Sequence, residues 1–192
     1  MCYLCRKLNN PKNTSSIPKE SKMKIFLVGF MGSGKTTIGR CLAERIGFDF
    51  VDTDHFIEMQ QGMTVFELFT RHGEADFRKM EHDILLEIQK FEYTVVSTGG
   101  GMPCYSNNMD IMRSDGKVVY LKTSPQEITC RLLRSHNERP LIKGKTEEEL
   151  QQYIEEKLNE REPFYSRAHI IVETEHFSME ELLQALHLMK KN

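Results

Sequence analysis

The chain has 192 residues, long enough to bury one sizeable core and short enough for a single domain. Charged residues make up 28% and hydrophobic ones 39%, with a net charge of −2, so no global charge marks it for nucleic acid or an anionic membrane surface. No apolar run approaches the roughly 20 residues that a membrane helix needs, and a cytoplasmic protein is expected.

Residues 1–22 stand apart. They carry Arg6, Lys7, Lys12, Lys19 and Lys22 against one acid, Glu20, a balance of +4 that leaves −6 for the rest. Residues 9–22 are almost entirely Asn, Pro, Lys, Ser and Thr, which cannot build a core. A disordered basic extension is expected over 1–22, without the apolar centre of a signal peptide. The folded domain is expected over 23–192, with Met23 as its original start. Cys2 and Cys5 form a C-x-x-C in this extension, but no second pair completes a four-ligand zinc site. Cys41, Cys104 and Cys130 are expected as free thiols.

Lys24–Val28 (KIFLV) reads as a buried strand, and Thr36–Ile46 as a helix with Ile38, Leu42, Ala43 and Ile46 on one side. Residues 48–51 (FDFV) read as a second strand. Thr64 and Glu67 form a capping box for a short helix ending near Gly73, and a longer helix is expected over Ala75–Lys90. Thr94–Ser97 (TVVS) and Val118–Leu121 (VVYL) read as strands. Ser124, Pro125 and Glu127 start another helix. Residues 135–145 lack periodicity and read as a loop. Thr146 and Glu149 cap the next helix, which Pro163 is expected to stop. Residues 169–172 (HIIV) are the last strand, and Ser178 with Glu181 caps the final helix. Five short apolar strands alternating with helices predict a three-layer α/β/α fold around a five-stranded parallel sheet.

Gly29-Phe30-Met31-Gly32-Ser33-Gly34-Lys35-Thr36 matches G-x-x-x-x-G-K-[ST] in full, between a strand and a helix. Such a loop aims backbone N–H groups and a helix N-terminus at phosphate. Lys35 adds a point charge, and Thr36 offers a hydroxyl to Mg²⁺. The motif implies a nucleoside triphosphate but not the reaction. A GTPase would carry N-K-x-D, which is absent. The TVVS strand runs into Ser97-Thr98-Gly99 with no carboxylate, so Asp52-Thr53-Asp54 is the supply of an oxygen ligand opposite Thr36. One of the two Asp residues can serve the metal and the other can accept a proton from an attacking hydroxyl; the alternative is a polar loop with Asp54 as a helix cap. Gly99-Gly100-Gly101 permits close backbone approach to a ligand, or is simply a flexible turn. Arg78 and Arg161 are either solvated helix residues or anion ligands. Arg134 precedes the 135–145 loop and Arg139 lies within it, where a guanidinium can neutralise transferring phosphate. The seven histidines show no ligand spacing.

Taken together, GFMGSGKTT, DTD at 52–54, FRKME at 77–81, GGG at 99–101, RPL at 139–141 and REPFY at 161–165 resemble the shikimate kinase family over residues 23–190. The resemblance implies ATP-dependent phosphorylation of shikimate to shikimate 3-phosphate, a step towards chorismate and the aromatic amino acids, by a monomer using Mg²⁺. It implies ATP on Gly32, Ser33, Gly34, Lys35, Thr36 and Thr37, with Arg134 beside adenine and Arg139 on the phosphates. Asp54 would hold and activate the reacting hydroxyl. Thr36 and Asp52 would serve Mg²⁺. Arg78, Arg161 and Gly99, Gly100 and Gly101 would bind the shikimate carboxylate and ring. A substrate-binding region over 53–82 and a lid over 135–146 are implied. Glu173-Thr174-Glu175-His176 departs from the family pattern beside the expected adenine site. A gluconate or nucleoside monophosphate kinase, and a nucleotide-binding module without catalysis, are the alternatives.

Overall fold

The computed structural model describes residues 23–134 and 145–188. The expectations for the extension 1–22, for Cys2 and Cys5, and for most of the lid with Arg139 lie outside the described residues.

Five strands form one parallel sheet: β1 Lys24–Val28, β2 Asp49–Asp52, β3 Thr94–Ser97, β4 Lys117–Lys122 and β5 Ile170–Glu173, in the order β2-β3-β1-β4-β5. β1 is central and buried along its whole length, which is why its sequence is apolar without alternation. The pleat divides its side chains. Phe26 and Val28 join Val96, Val118 and Tyr120 on one face, while Ile25 and Leu27 join Val95, Val119 and Leu121 on the other.

The helices are α1 Lys35–Ile46, α2 Thr53–Gln61, α3 Val65–Ile88, α4 Asn108–Asp115, α5 Pro125–Arg134, α6 Glu147–Tyr165 and α7 Met179–Ala185. α3, α4, α5 and α6 bury their apolar sides in the first face, through Leu85, Met112, Ile128 and Ile154 among others. α1 and α7 cover the second with Leu42, Ala43, Leu182 and Leu183. The expected three-layer architecture is present. So are the capping boxes at Thr64/Glu67 and Thr146/Glu149 and the Ser178 cap.

Several details differ from the sequence reading. β2 begins one residue later than expected, because Phe48 belongs to the turn after α1 and packs with the second face. α2 is a full helix capped by Asp52, although its run TDHFIEMQQ buries only Thr53 and Ile57 and so shows little periodicity. α4 is likewise an added helix, buried through Asn108, Met109 and Met112. Pro163 does not stop α6, which continues to Tyr165. A proline so near the end forfeits one backbone bond in a last turn whose carbonyls are already losing partners. The two helices expected on either side of Gly73 meet there without a loop, and Gly73 takes φ 79 and ψ 175. A side chain would be strained at that φ, so the break is confined to the one residue type that tolerates it.

Candidate active site

The carboxyl ends of β1, β2 and β3 lie side by side, because Leu27 and Asp52 both stand opposite Ser97 in the sheet register. β1 feeds the Gly29–Thr36 loop, β2 delivers Asp52, and β3 runs into Gly99-Gly100-Gly101. Open parallel sheets bind ligands at this edge.

In the phosphate loop, Gly32 and Gly34 take φ 82 and 92, the curl that presents consecutive N–H groups to an anion. Lys35 is only 8% exposed, and its Nζ donates to Gly29 O at 2.9 Å and Phe30 O at 2.8 Å. The ammonium is thus anchored across the mouth of the loop. Ser33 turns its side chain into the protein, and its N–H donates to Phe30 O, so it shapes the cradle instead of presenting its hydroxyl. Thr37 lies exposed on the first turn of α1.

Thr36 and Asp52 come together as expected. Thr36 Oγ1 donates to Asp52 Oδ2 at 2.8 Å and lies 3.4 Å from Ser97 Oγ. The other Asp52 oxygen caps α2, accepting from the N–H groups of Asp54 and His55. The hydroxyl-and-carboxylate pair suits a hard cation such as Mg²⁺. Among the described residues no group of three or more His, Cys, Asp and Glu converges, so the rest of a coordination shell would come from phosphate and water. Ser97, passed over as a strand residue without charge, belongs to this cluster.

The glycine turn is the spine of the second half of the site. A methyl group built on Gly99 would lie 2.7 Å from Asp54 Oδ1 and would overlap Glu81 Oε1. One built on Gly101 would overlap the Arg78 guanidinium. One on Gly100 would sit 3.5 Å from Arg161 Nη1, Gly29 O and Met31 N. A side chain at Gly99 or Gly101 would displace these charged groups, and each glycine faces a different part of the cluster. The turn is pinned from outside. Gly99 N donates to the buried Thr53 Oγ1 at 2.8 Å, and Tyr165 Oη donates to Gly100 O at 2.6 Å. Arg161 stacks 5.2 Å from the centre of the Phe30 ring in the phosphate loop. Arg78 lies near the rings of Phe69 and Phe77. The structure therefore brings Asp54, Arg78, Arg161, Gly99, Gly100 and Gly101 together, against the solvated-helix alternative for the two arginines.

Glu81 was not singled out from sequence, although it is one turn after Arg78 and within the FRKME run. Its Oε2 accepts from Arg78 Nη1 at 2.5 Å, and its fully buried Oε1 has no hydrogen-bond partner. Glu74 accepts from the other side of the guanidinium. Burial pushes the Glu81 carboxyl up from its ordinary 4.5 to about 7, against the pull of Arg78 and with added repulsion from Asp54. The folded state therefore holds this proton more tightly than the unfolded chain, and the Glu81 contribution to stability declines as pH rises from about 4.5 to about 7. Glu81→Gln is neutral throughout. The Tm difference, wild type minus variant, should shrink across that window in thermal melts, and a difference that grows would show that the ion pair with Arg78 outweighs burial.

Cys104, in the short turn Met102–Cys104 beyond the glycines, has its thiol pushed up to about 11 by burial despite Arg161 and Arg78. Arg134 is exposed at the end of α5. Arg131, not singled out from sequence, donates instead to Gly32 O at 3.2 Å and to Glu127. Glu175, in the departing Glu173–His176 segment, accepts from Ser124 N at 2.8 Å and so ties that segment to the start of α5.

The shikimate kinase family model matches residues 31–189. The chain belongs to the shikimate kinase family. It is 43% identical to the shikimate kinase of Parabacteroides distasonis over 152 residues, 79% of this chain and 88% of that protein. It is also 43% identical to that of Azobacteroides pseudotrichonymphae over 164 residues, 85% and 96% respectively. Among solved structures, the shikimate kinase of Bacteroides thetaiotaomicron superposes with a TM-score of 0.79 at 39% identity, covering 87% of this chain and 96% of that one. The Acinetobacter baumannii shikimate kinase in complex with shikimate superposes at 0.78 with 37% identity, covering 88% and 92%. A gluconokinase from Sinorhizobium meliloti, at 18% identity and a TM-score of 0.53, shares the fold alone. No described helix of this family member is long and apolar enough to cross a membrane.

Proposed function

We propose that this shikimate kinase transfers the terminal phosphoryl group of ATP to the 3-hydroxyl of shikimate, giving shikimate 3-phosphate and ADP. The observation that carries the reading is the glycine turn. It sets the carboxylates of Asp54 and Glu81 at Gly99, the Arg161 guanidinium at Gly100 beside the phosphate loop, and the Arg78 guanidinium at Gly101.

The division of labour follows from charge. ATP lies with its phosphates on the loop N–H groups and on Lys35, with Arg139 adding charge to the transferring group. Mg²⁺ held by Thr36 and Asp52 would neutralise phosphate charge. Arg78 and Arg161 take the shikimate carboxylate, for which a planar guanidinium is the better match. That grip leaves the hydroxyl end directed at Asp54, whose carboxylate accepts the proton as the oxygen attacks phosphorus. Phe30, Phe69 and Phe77 line the arginines and keep water from the ion pairs.

ADP release should be measured with shikimate, quinate and gluconate as acceptors. Shikimate should exceed the others by at least about tenfold in kcat/KM, the scale set by one unmatched polar contact. Faster turnover of gluconate would replace this reading with the sugar-acid kinase alternative.

A further inference from the structure

Tyr165 contacts no reacting atom of the proposed reaction, yet it joins three of the elements that carry the site. Its ring is fully buried and packs 5.1 Å from the ring of Tyr120. Its hydroxyl donates to Gly100 O at 2.6 Å. It lies one helical turn after Arg161 on α6, and the Arg161 guanidinium acts on the same hydroxyl as a neighbouring charge. A Cβ built on Gly100 would in turn sit 3.5 Å from Arg161 Nη1, Gly29 O and Met31 N, so the turn, α6 and the phosphate loop converge there. Arg161 completes the loop by stacking on Phe30. Helix α6, the glycine turn and the phosphate loop thus form a closed ring of contacts, with the Tyr165 hydroxyl as one of its links.

We propose that Tyr165 is a positioning residue for the substrate carboxylate: its hydroxyl locks Arg161 and Gly100 into one frame and so sets where the acid end of the acceptor sits relative to the phosphates. The inference rests on the reading of Arg161 as a carboxylate ligand. Without the hydroxyl, Gly100 O is a partly buried carbonyl that has lost its Tyr165 partner. The turn can then move away from α6, and with it the backbone beside which Arg161 sits. A change of this kind acts on the acceptor and spares the nucleotide, because Lys35 holds the phosphate loop through its own bonds to Gly29 O and Phe30 O.

The test is a comparison of Tyr165→Phe with Tyr120→Phe, followed by a double-mutant cycle with Arg161→Lys. Phe keeps the ring packing in both variants. Tyr120 is a matched control, since its hydroxyl donates to Glu162 on the same helix at 2.6 Å and does not touch the glycine turn. Tyr165→Phe should lower kcat/KM for shikimate about 5- to 30-fold, mostly through KM, with KM for ATP within about twofold. Tyr120→Phe should lower Tm comparably and leave KM for shikimate within about twofold. In the cycle, Tyr165→Phe should cost much less once Arg161 is Lys, since the two act as a unit. Equal effects of the two tyrosine variants on KM, or additivity with Arg161→Lys, would overturn the proposal and leave Tyr165 as packing. Absence of any shikimate turnover in the wild type would instead remove the reading of the function beneath it.

Discussion

Asp54→Asn is expected to lower kcat by about 10²–10⁴-fold, the range for a positioned acid–base group, with KM for ATP nearly unchanged. Asparagine keeps the shape of the side chain and removes both its charge and its capacity to take a proton. The backbone should be undisturbed. Asp52 caps α2 through the N–H groups of Asp54 and His55, which the substitution retains, and no larger group is pressed against Gly99. The loss should therefore appear in turnover and not in Tm. Removing the Asp54 charge also relieves repulsion on Glu81, so the raised Glu81 carboxyl should fall slightly. Steady-state kinetics with each substrate varied in turn decide the matter. A variant that changes only KM for ATP would move Asp54 from the acceptor to the metal side of the site, where Thr36 and Asp52 already meet.

Arg161→Lys is expected to lower kcat/KM for shikimate by about 10- to 150-fold, the cost of one lost charge-assisted hydrogen bond. Lysine retains the charge. It loses the planar fork that grips a carboxylate with two parallel bonds, and it loses the flat stacking on Phe30. KM for ATP should move little, because the nucleotide lies on the Lys35 side of the glycine turn. The methyl ester of shikimate supplies the complementary arm. With the unmutated enzyme it should lose a comparable factor, and wild type and variant should converge on it, since there is no longer an anion for the guanidinium to distinguish. Phosphorylation of the ester as readily as of the acid would show that no carboxylate clamp exists here, and shikimate as the acceptor would then be in doubt.

These two residues illustrate how far the sequence goes. The DTD run beyond a strand and the REPFY run on a helix mark Asp54 and Arg161 as candidates, while a helix cap for Asp54 and a solvated helix face for Arg161 stay open from sequence alone. The glycine turn brings both into one cluster, with Gly99 beside Asp54 and Gly100 beside Arg161 across gaps of 45 and 61 residues. Glu81 shows the converse. Its position one turn after Arg78 is legible, but an i, i+3 pair of opposite charges is most often an exposed ion pair. Burial makes it a raised carboxyl facing Asp54, and burial is a property of everything packed around it.

What the amino-acid sequence determined by itself is local in origin. The phosphate loop, the capping boxes at Thr64 and Thr146, and the buried strand Lys24–Val28 each rest on backbone torsion preferences and hydrogen bonds spanning a few residues. The alternation of strand and helix then restricts the sheet to a parallel one. What only the tertiary structure decided is which distant groups share a volume. Arg131 and not Arg134 reaches Gly32, Ser97 joins Thr36, and Tyr165 closes on Gly100. Those pairings follow from the strand order β2-β3-β1-β4-β5 and its register, which are set by packing two apolar faces at once. No spacing along the chain encodes such a three-dimensional fit, because the energy that selects it is summed over the whole core.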